Sequence, residues 1–292
     1  MTLGGEQGKL GLLRAAIVAV MAGFALAGCK FGGAAFLAKH PDVEPFSYQV
    51  AVGPQKFQIE GYFERSDTLG RRPALLVLNG GIGDARRCIE SSGDLASLGI
   101  QVACVSIPGY GRSSGPSRFV GPQAVAAARR ALDLLDARAD VDSTRIAVWG
   151  LEDGAVAAGL LMDSDSRPRA MILQSGAYDT IHLWNAAPLS TKLAILRQVW
   201  PSRRVLAERS VIGHLPQKVA CSVLILHGAR DRRTPVAQAM RLASALRKRG
   251  AHVEDVYYPR AQHELGRQVD PKLRAFLRSN LLETGSVGAT AG

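Results

Sequence analysis

Short apolar runs alternate with stretches of helical period along most of the chain. Ala74-Leu75-Leu76-Val77-Leu78 is continuously apolar. A run that short and unbroken marks a strand buried on both faces, as in a parallel sheet. Gln101–Ile107, Arg145–Trp149, Ala170–Leu173, Val223–Leu226 and Val253–Tyr258 read the same way, and Phe57–Phe63 shows partial alternation. Between them Ala85–Leu98, Pro122–Ala137, Asp153–Met162, Val236–Lys248 and Pro271–Leu282 read as helices, several with Pro in the first turn or Gly near the end. Strands alternating with helices predict βαβ units, hence an α/β fold with a mostly parallel central sheet and helices on both faces. Residues 180–218 break the rhythm with Trp184, Trp200 and several helix-like fragments, and read as an insertion between two strands.

Composition narrows the class. The chain has 292 residues, 47% hydrophobic and 21% charged. That excludes fibrous and wholly disordered proteins and fits one large domain or two small ones. The net charge of +11 would suit an anionic partner, but there is neither a basic run of five residues nor a zinc-finger spacing. No nucleic-acid partner is therefore expected. Cys29, Cys88, Cys104 and Cys221 form no CxxC pair, which argues against a disulfide-dense scaffold and a Cys-rich zinc site. His182, His214 and His252 show no ligand spacing, so neither a metal nor a cofactor is expected.

The N-terminus reads as an address. Lys9 and Arg14 precede an uncharged run, Ala15–Ala27, too short to span a bilayer comfortably. It ends in Leu26-Ala27-Gly28-Cys29, which resembles the lipobox of bacterial lipoproteins; a plain secretory signal or a short anchor is the alternative. The resemblance implies cleavage before Cys29, acylation of its thiol, and firm membrane attachment through several acyl chains. Lys30, where retention in the inner membrane would call for Asp, implies the outer membrane facing the periplasm, an oxidising compartment. Acylation of Cys29 leaves three cysteines, so at least one is unpaired within the chain. Cys88, Cys104 and Cys221 read as packed small side chains. The expected organisation is a signal peptide over 1–28, a tether over 29–45, a domain over 46–283 carrying the insertion, and a disordered tail over 284–292.

Ligands of open parallel sheets bind beyond the carboxyl ends of strands. Asn79-Gly80-Gly81-Ile82-Gly83 follows one strand, Pro108-Gly109-Tyr110-Gly111-Arg112-Ser113-Ser114-Gly115 another, and Gly150-Leu151-Glu152-Asp153-Gly154 a third. His227-Gly228-Ala229-Arg230-Asp231 and Gln262-His263-Glu264 end the series. In this order these pieces resemble the α/β-hydrolase superfamily over residues 55–282, and within it the esterase, dienelactone-hydrolase and prolyl-oligopeptidase-like branches. The resemblance implies a nucleophile elbow at 150–154, with Asp231 as acid and His263 as base. It implies oxyanion donors at Gly81 and Ile82, and a short cap over the site formed by 180–218.

One position departs from the pattern. The elbow motif is G-x-S-x-G, and its centre here is Glu152, with Gly150 and Gly154 fixing the register. Ser113 and Ser114 follow a different strand and do not replace the serine. Three readings stay open. Glu152 is a carboxylate nucleophile, as Asp is in dehalogenases and epoxide hydrolases of this fold; or it is a general base; or ordinary serine esterase activity is lost and the fold binds a protein or a ligand, such as a small acyl or ester-like molecule. His227 and Arg112 read as structural. The insertion carries Lys192, Arg197, Arg203, Arg204, Arg209 and Lys218 against Glu208 alone. That is either a solvated basic face or a cap facing anionic lipid or ligand.

Overall fold

The computed structural model of the protein describes residues 34–81 and 84–283. Eight strands form one sheet: β1 (Val43–Val52), β2 (Gln55–Glu64), β3 (Arg72–Gly80), β4 (Gln101–Ser106), β5 (Val141–Glu152), β6 (Ala170–Gln174), β7 (Ser222–Gly228) and β8 (Val253–Tyr258). Their spatial order is β1-β2-β4-β3-β5-β6-β7-β8. β1 and β2 pair antiparallel, as do β2 and β4, and every other neighbouring pair is parallel.

The period-two geometry of strands splits the apolar runs between two cores. Leu76 and Leu78 join Val105, Val148, Leu173 and Ile225 on one face. Leu75 and Val77 join Val102, Trp149, Ile172 and Leu224 on the other. The first face is covered by α3 (Pro122–Asp136), α4 (Asp153–Leu161) and α8 (Ala237–Lys248), the second by α2 (Ala85–Ala96) and α9 (Asp270–Leu277). This is the α/β-hydrolase architecture that the resemblance implies. α2 starts where Asp84 caps it, its carboxylate accepting from the Arg86 and Arg87 amides. α4, flanked by sheet and helices, is buried at every position from Gly154 to Leu161.

Between β6 and β7 the insertion folds as α5 (Thr180–Ala186), α6 (Leu189–Leu196), α7 (Arg203–Ala207) and a 3-10 turn at Val211–His214. Leu183, Ile195 and Leu206 make a small core of its own with Phe119. Arg209, counted above with the basic residues of the cap, turns inward and donates to the Arg118 and Val205 carbonyls.

Two expectations need correction. Residues 34–45 are not all tether: α1 (Ala34–Lys39) packs Phe36 edge-on against Tyr62, and β1 begins at Val43. Cys88 and Cys104 are not independent packed thiols; α2 lies against β4 and the two form a disulfide, leaving Cys221 free and only partly buried. The lipobox with Cys29, the first part of the tether, Ile82 and the tail lie outside the described residues. Among the described residues no helix is long and apolar enough to cross a membrane.

Candidate functional site

The turn from β5 into α4 is sharp. Glu152 sits at φ +52° and ψ −114°, a conformation that costs a residue bearing Cβ about 1–3 kcal/mol and persists only where its surroundings dictate it. Close packing dictates it here: a Cβ on Gly154 would lie 1.9 Å from the Leu78 carbonyl oxygen. The elbow is therefore pressed onto β3 and lifts the Glu152 side chain above the sheet edge. The carboxyl group comes to rest against the turn after β3, so that a Cβ on Gly81 would stand 2.2 Å from Glu152 Cδ. Gly81 thus faces Glu152, as an oxyanion donor would face the reacting carbon.

Two loops from the neighbouring strands converge on the same point. Asp231 follows β7. Its Oδ1 accepts from the Arg233 and Thr234 amides at 2.8 and 2.9 Å, an Asx turn that fixes the carboxylate. Its Oδ2 accepts from His263 Nδ1 at 2.6 Å and lies 3.3 Å from His227 Nε2. His227 Nε2 also lies 2.8 Å from the Thr234 carbonyl. Both neighbours are acceptors, so the hydrogen-bond network assigns the proton to Nε2. His227 is thus a buried support of Asp231. Burial pushes the Asp231 carboxyl up, but hydrogen bonds from His227, His263 and the Thr234 amide together outweigh it and hold it far below the usual carboxylate range.

His263 lies between two carboxylates. Nδ1 meets Asp231, and Nε2 lies 3.0 Å from Glu152 Oε2. Burial lowers its pKa, but the hydrogen bonds and charges of Asp231 and Glu152 prevail and push it up to about 9. At neutral pH both ring nitrogens carry protons and both donate. Arg233 Nη2 approaches the same Glu152 oxygen from solvent at 3.7 Å.

A second carboxyl stands beside the first. Asp153 Oδ2 accepts from the Tyr110 hydroxyl at 2.5 Å. Burial, with a contribution from the Glu152 charge and against the Tyr110 hydrogen bond, pushes Asp153 up to about 6. The Tyr110 phenol is held far above its ordinary value by burial and by the Asp153 charge.

These groups open onto a cavity of about 330 Å³ whose far wall is the cap, through Leu183, Ser190, Thr191, Ile195 and Gln198. Phe119 completes it and was not among the sequence candidates. It lies in a run of three left-handed non-glycine residues, Arg118, Phe119 and Val120, at φ +50°, +51° and +55°. Gln198 of the cap holds that run by accepting from the Phe119 amide at 3.0 Å, and Arg209 by donating to the Arg118 carbonyl at 3.2 Å. Glu60 was also missed. It is fully buried in β2, where it accepts from the Arg112 amide at 2.8 Å and the Ser106 hydroxyl at 3.2 Å. It thereby anchors the loop that presents Tyr110. Ser113 and Ser114 are occupied in the same loop, taking the Glu60 and Gln58 amides. Among the described residues, no group of three or more His, Cys, Asp or Glu side chains is placed to hold a metal ion.

The structure thus brings Glu152, Asp231, His263 and Gly81 together, while Ile82 lies outside the described residues. Known proteins match this chain on both sequence and fold. The model of the prolyl oligopeptidase family matches residues 122–279. An uncharacterized protein of Mycobacterium tuberculosis is 30% identical over 208 residues, 70% of this chain and 68% of that one. Acylamino-acid-releasing enzyme 2 of Oryza sativa subsp. japonica is 27% identical over 232 residues, 72% of this chain but 30% of the enzyme, so this chain spans under a third of it. Among solved structures, 2,6-dihydroxy-pseudo-oxynicotine hydrolase superposes with a TM-score of 0.68 at 18% identity, covering 87% of this chain and 74% of that one. The strand order, the elbow, the acid and histidine after β7 and β8, and these matches agree: the chain belongs to the prolyl oligopeptidase family of α/β-hydrolases.

Proposed function

We propose that this protein is a ligand-binding member of its family, lipid-anchored at Cys29 on the periplasmic side of the outer membrane, with Glu152 in place of the nucleophile and without ordinary serine esterase activity. The observation that carries this reading is the position of His263, donating from Nδ1 to Asp231 and from Nε2 to Glu152. A histidine base needs a free lone pair on Nε2. With a pKa pushed up to about 9, this one has none at neutral pH.

Covalent geometry supports the same conclusion. Glutamate carries its carboxyl carbon two bonds beyond Cβ, as an acylated serine carries its carbonyl carbon. The Glu152 carboxyl, resting on Gly81, thus fills the position of an acyl group in transit and opposes an oxyanion with its own charge. What remains is the cavity under the cap, where Phe119, Leu183 and Ile195 offer an apolar wall and Ser175 and Gln198 polar contacts. A small acyl or ester-like compound suits it. The rice relative, by name an enzyme that releases acylated amino acids, supports that class. The Cys88–Cys104 disulfide supports an oxidising compartment.

The test is a panel of p-nitrophenyl acyl esters on wild type and Glu152→Ser. Wild type is expected to stay at the uncatalysed rate, and the variant to gain turnover. Robust turnover by wild type that disappears in Glu152→Gln overturns the proposal in favour of a carboxylate nucleophile, whose attack on the acyl carbon releases p-nitrophenolate and leaves a mixed anhydride for water to hydrolyse. Separately, incorporation of labelled palmitate is expected in wild type and not in Cys29→Ser; equal labelling overturns the anchor.

A further inference from the structure

The cap helix α6 presents its apolar side to solvent. Leu189, Leu193 and Leu196 are spaced i, i+4, i+7, one face of a helix, and are 71%, 45% and 39% exposed. Trp200, just beyond, is 78% exposed. Large exposed apolar residues scattered singly are ordinary on a soluble surface. Here Leu189, Leu193, Leu196 and Trp200 fall within twelve residues, and elsewhere among the described residues only Leu69 and Met240 are of that kind. The opposite side of α6 is spoken for: Ile195 is buried in the cap core, and Ser190 and Thr191 line the cavity.

The charge around the stripe selects what covers it. At 100° per residue Lys192 and Arg197 fall on either side of the three leucines. Arg203 and Arg204 follow at the start of α7, both exposed. Glu208, the sole acidic residue between 180 and 218, is paired with Arg204 and Arg209. An apolar stripe framed by cations, with an indole beside it, complements an anionic bilayer surface: leucines enter the acyl boundary, cations meet lipid phosphates, and the amphipathic indole sits at headgroup level.

We propose that the outward face of the cap, Leu189, Leu193, Leu196 and Trp200 framed by Lys192 and Arg197, docks onto an anionic phospholipid surface. Docking holds one wall of the cavity at the membrane, and it is independent of whether Glu152 is catalytic. It is also separate from the proposed lipid anchor, which would attach the chain without orienting it.

The experiment is hydrogen–deuterium exchange on the full-length chain, incorporated through its N-terminal segment into vesicles of phosphatidylcholine alone or with about one-third phosphatidylglycerol. The segment attaches the chain in both cases, so the difference reads the cap. Amide exchange over 189–204 should slow by about tenfold or more on the anionic vesicles only, since each cation near such a surface contributes roughly fivefold in partition. Leu193→Asp, and separately Lys192→Glu with Arg197→Glu, should abolish the slowing, with exchange in β3 and β5 unchanged as the check on folding. Equal exchange on both vesicles, or slowing that survives charge reversal, overturns the proposal. So does slowing that appears without lipid as protein concentration rises, which would assign the face to a second copy of the chain.

Discussion

At the end of β7, both oxygens of Asp231 are engaged, Oδ1 by the turn amides of Arg233 and Thr234 and Oδ2 by His263, with His227 buried beside it. At the end of β5, the elbow keeps its strained backbone, yet the side chain it raises carries a charge. The first region is what a histidine base requires; the second holds that histidine in the protonated state. Geometry and electrostatics have come apart. The backbone sets a residue beside His263 and against Gly81, and on the proposed reading the carboxylate there takes the base function from the histidine. On the proposed reading the acid and histidine have a structural role that needs no serine chemistry: Asp231 and Glu152 share a cation.

The largest effect should come from installing a neutral nucleophile. Glu152→Ser removes one of the two carboxylates holding His263 charged and places a hydroxyl at the elbow. Ester turnover should rise about 10³-fold over wild type, within the range for a positioned acid–base group. Adding His263→Ala should erase the gain. Turnover indifferent to His263 would break the contrast between the two regions.

Next is the support of the histidine. Asp231→Ala leaves the buried imidazolium with Glu152 alone and uncaps the 231–234 turn. Removing one partner of a buried pair costs about 3–5 kcal/mol, to be read as a lower denaturant midpoint. The same pair sets a pH window. His263 has its pKa raised from 6.5 to about 9, so its contribution is fully present below about pH 6.5 and is lost as pH rises through 9. Asp231 is depressed, so its contribution is present above the ordinary carboxylate value and is lost as pH falls below it. Stability should therefore fall on both sides of a plateau, and Glu152→Gln should move the alkaline edge to lower pH.

Reduction of the Cys88–Cys104 disulfide, with a sequence separation of 16, should cost about 3 kcal/mol, seen as a lower Tm in reductant. Because α2 begins just past the glycine turn, a loss confined to stability, with the His263 titration unchanged, would place the disulfide outside the site. The smallest effect belongs to Arg233→Ala. Its side chain is 61% exposed, and such a contact changes stability by about 0.5 kcal/mol or less.

Much of this was legible in the sequence, for a physical reason. Strands buried on both faces must be continuously apolar, so β3, β4, β6 and β7 stand out, and β8 spans Val253–Tyr258 as read. The positions after them follow from topology, which is why Glu152, Asp231 and His263 could be named in advance. β1 was not legible. It is an edge strand paired only with β2, carries Pro45, and buries few of its residues, so nothing required a clean alternation. The disulfide joins a helix to a strand, and a spacing of 16 carries no signature of that. Glu60 is one of two carboxylates in β2, meaningful only once Ser106 and the Arg112 amide come to it. Phe119 depends on three left-handed residues where no glycine announces the turn.

The claim that Glu152 and Asp231 jointly hold His263 as a cation is open to one direct measurement, the NMR titration of the His263 imidazole in wild type and Glu152→Gln. In wild type the imidazolium is expected to persist through neutral pH and to titrate near 9, and in the variant at distinctly lower pH. A wild-type imidazole that loses its proton near the ordinary value of about 6.5, unmoved by Glu152→Gln, would contradict that claim.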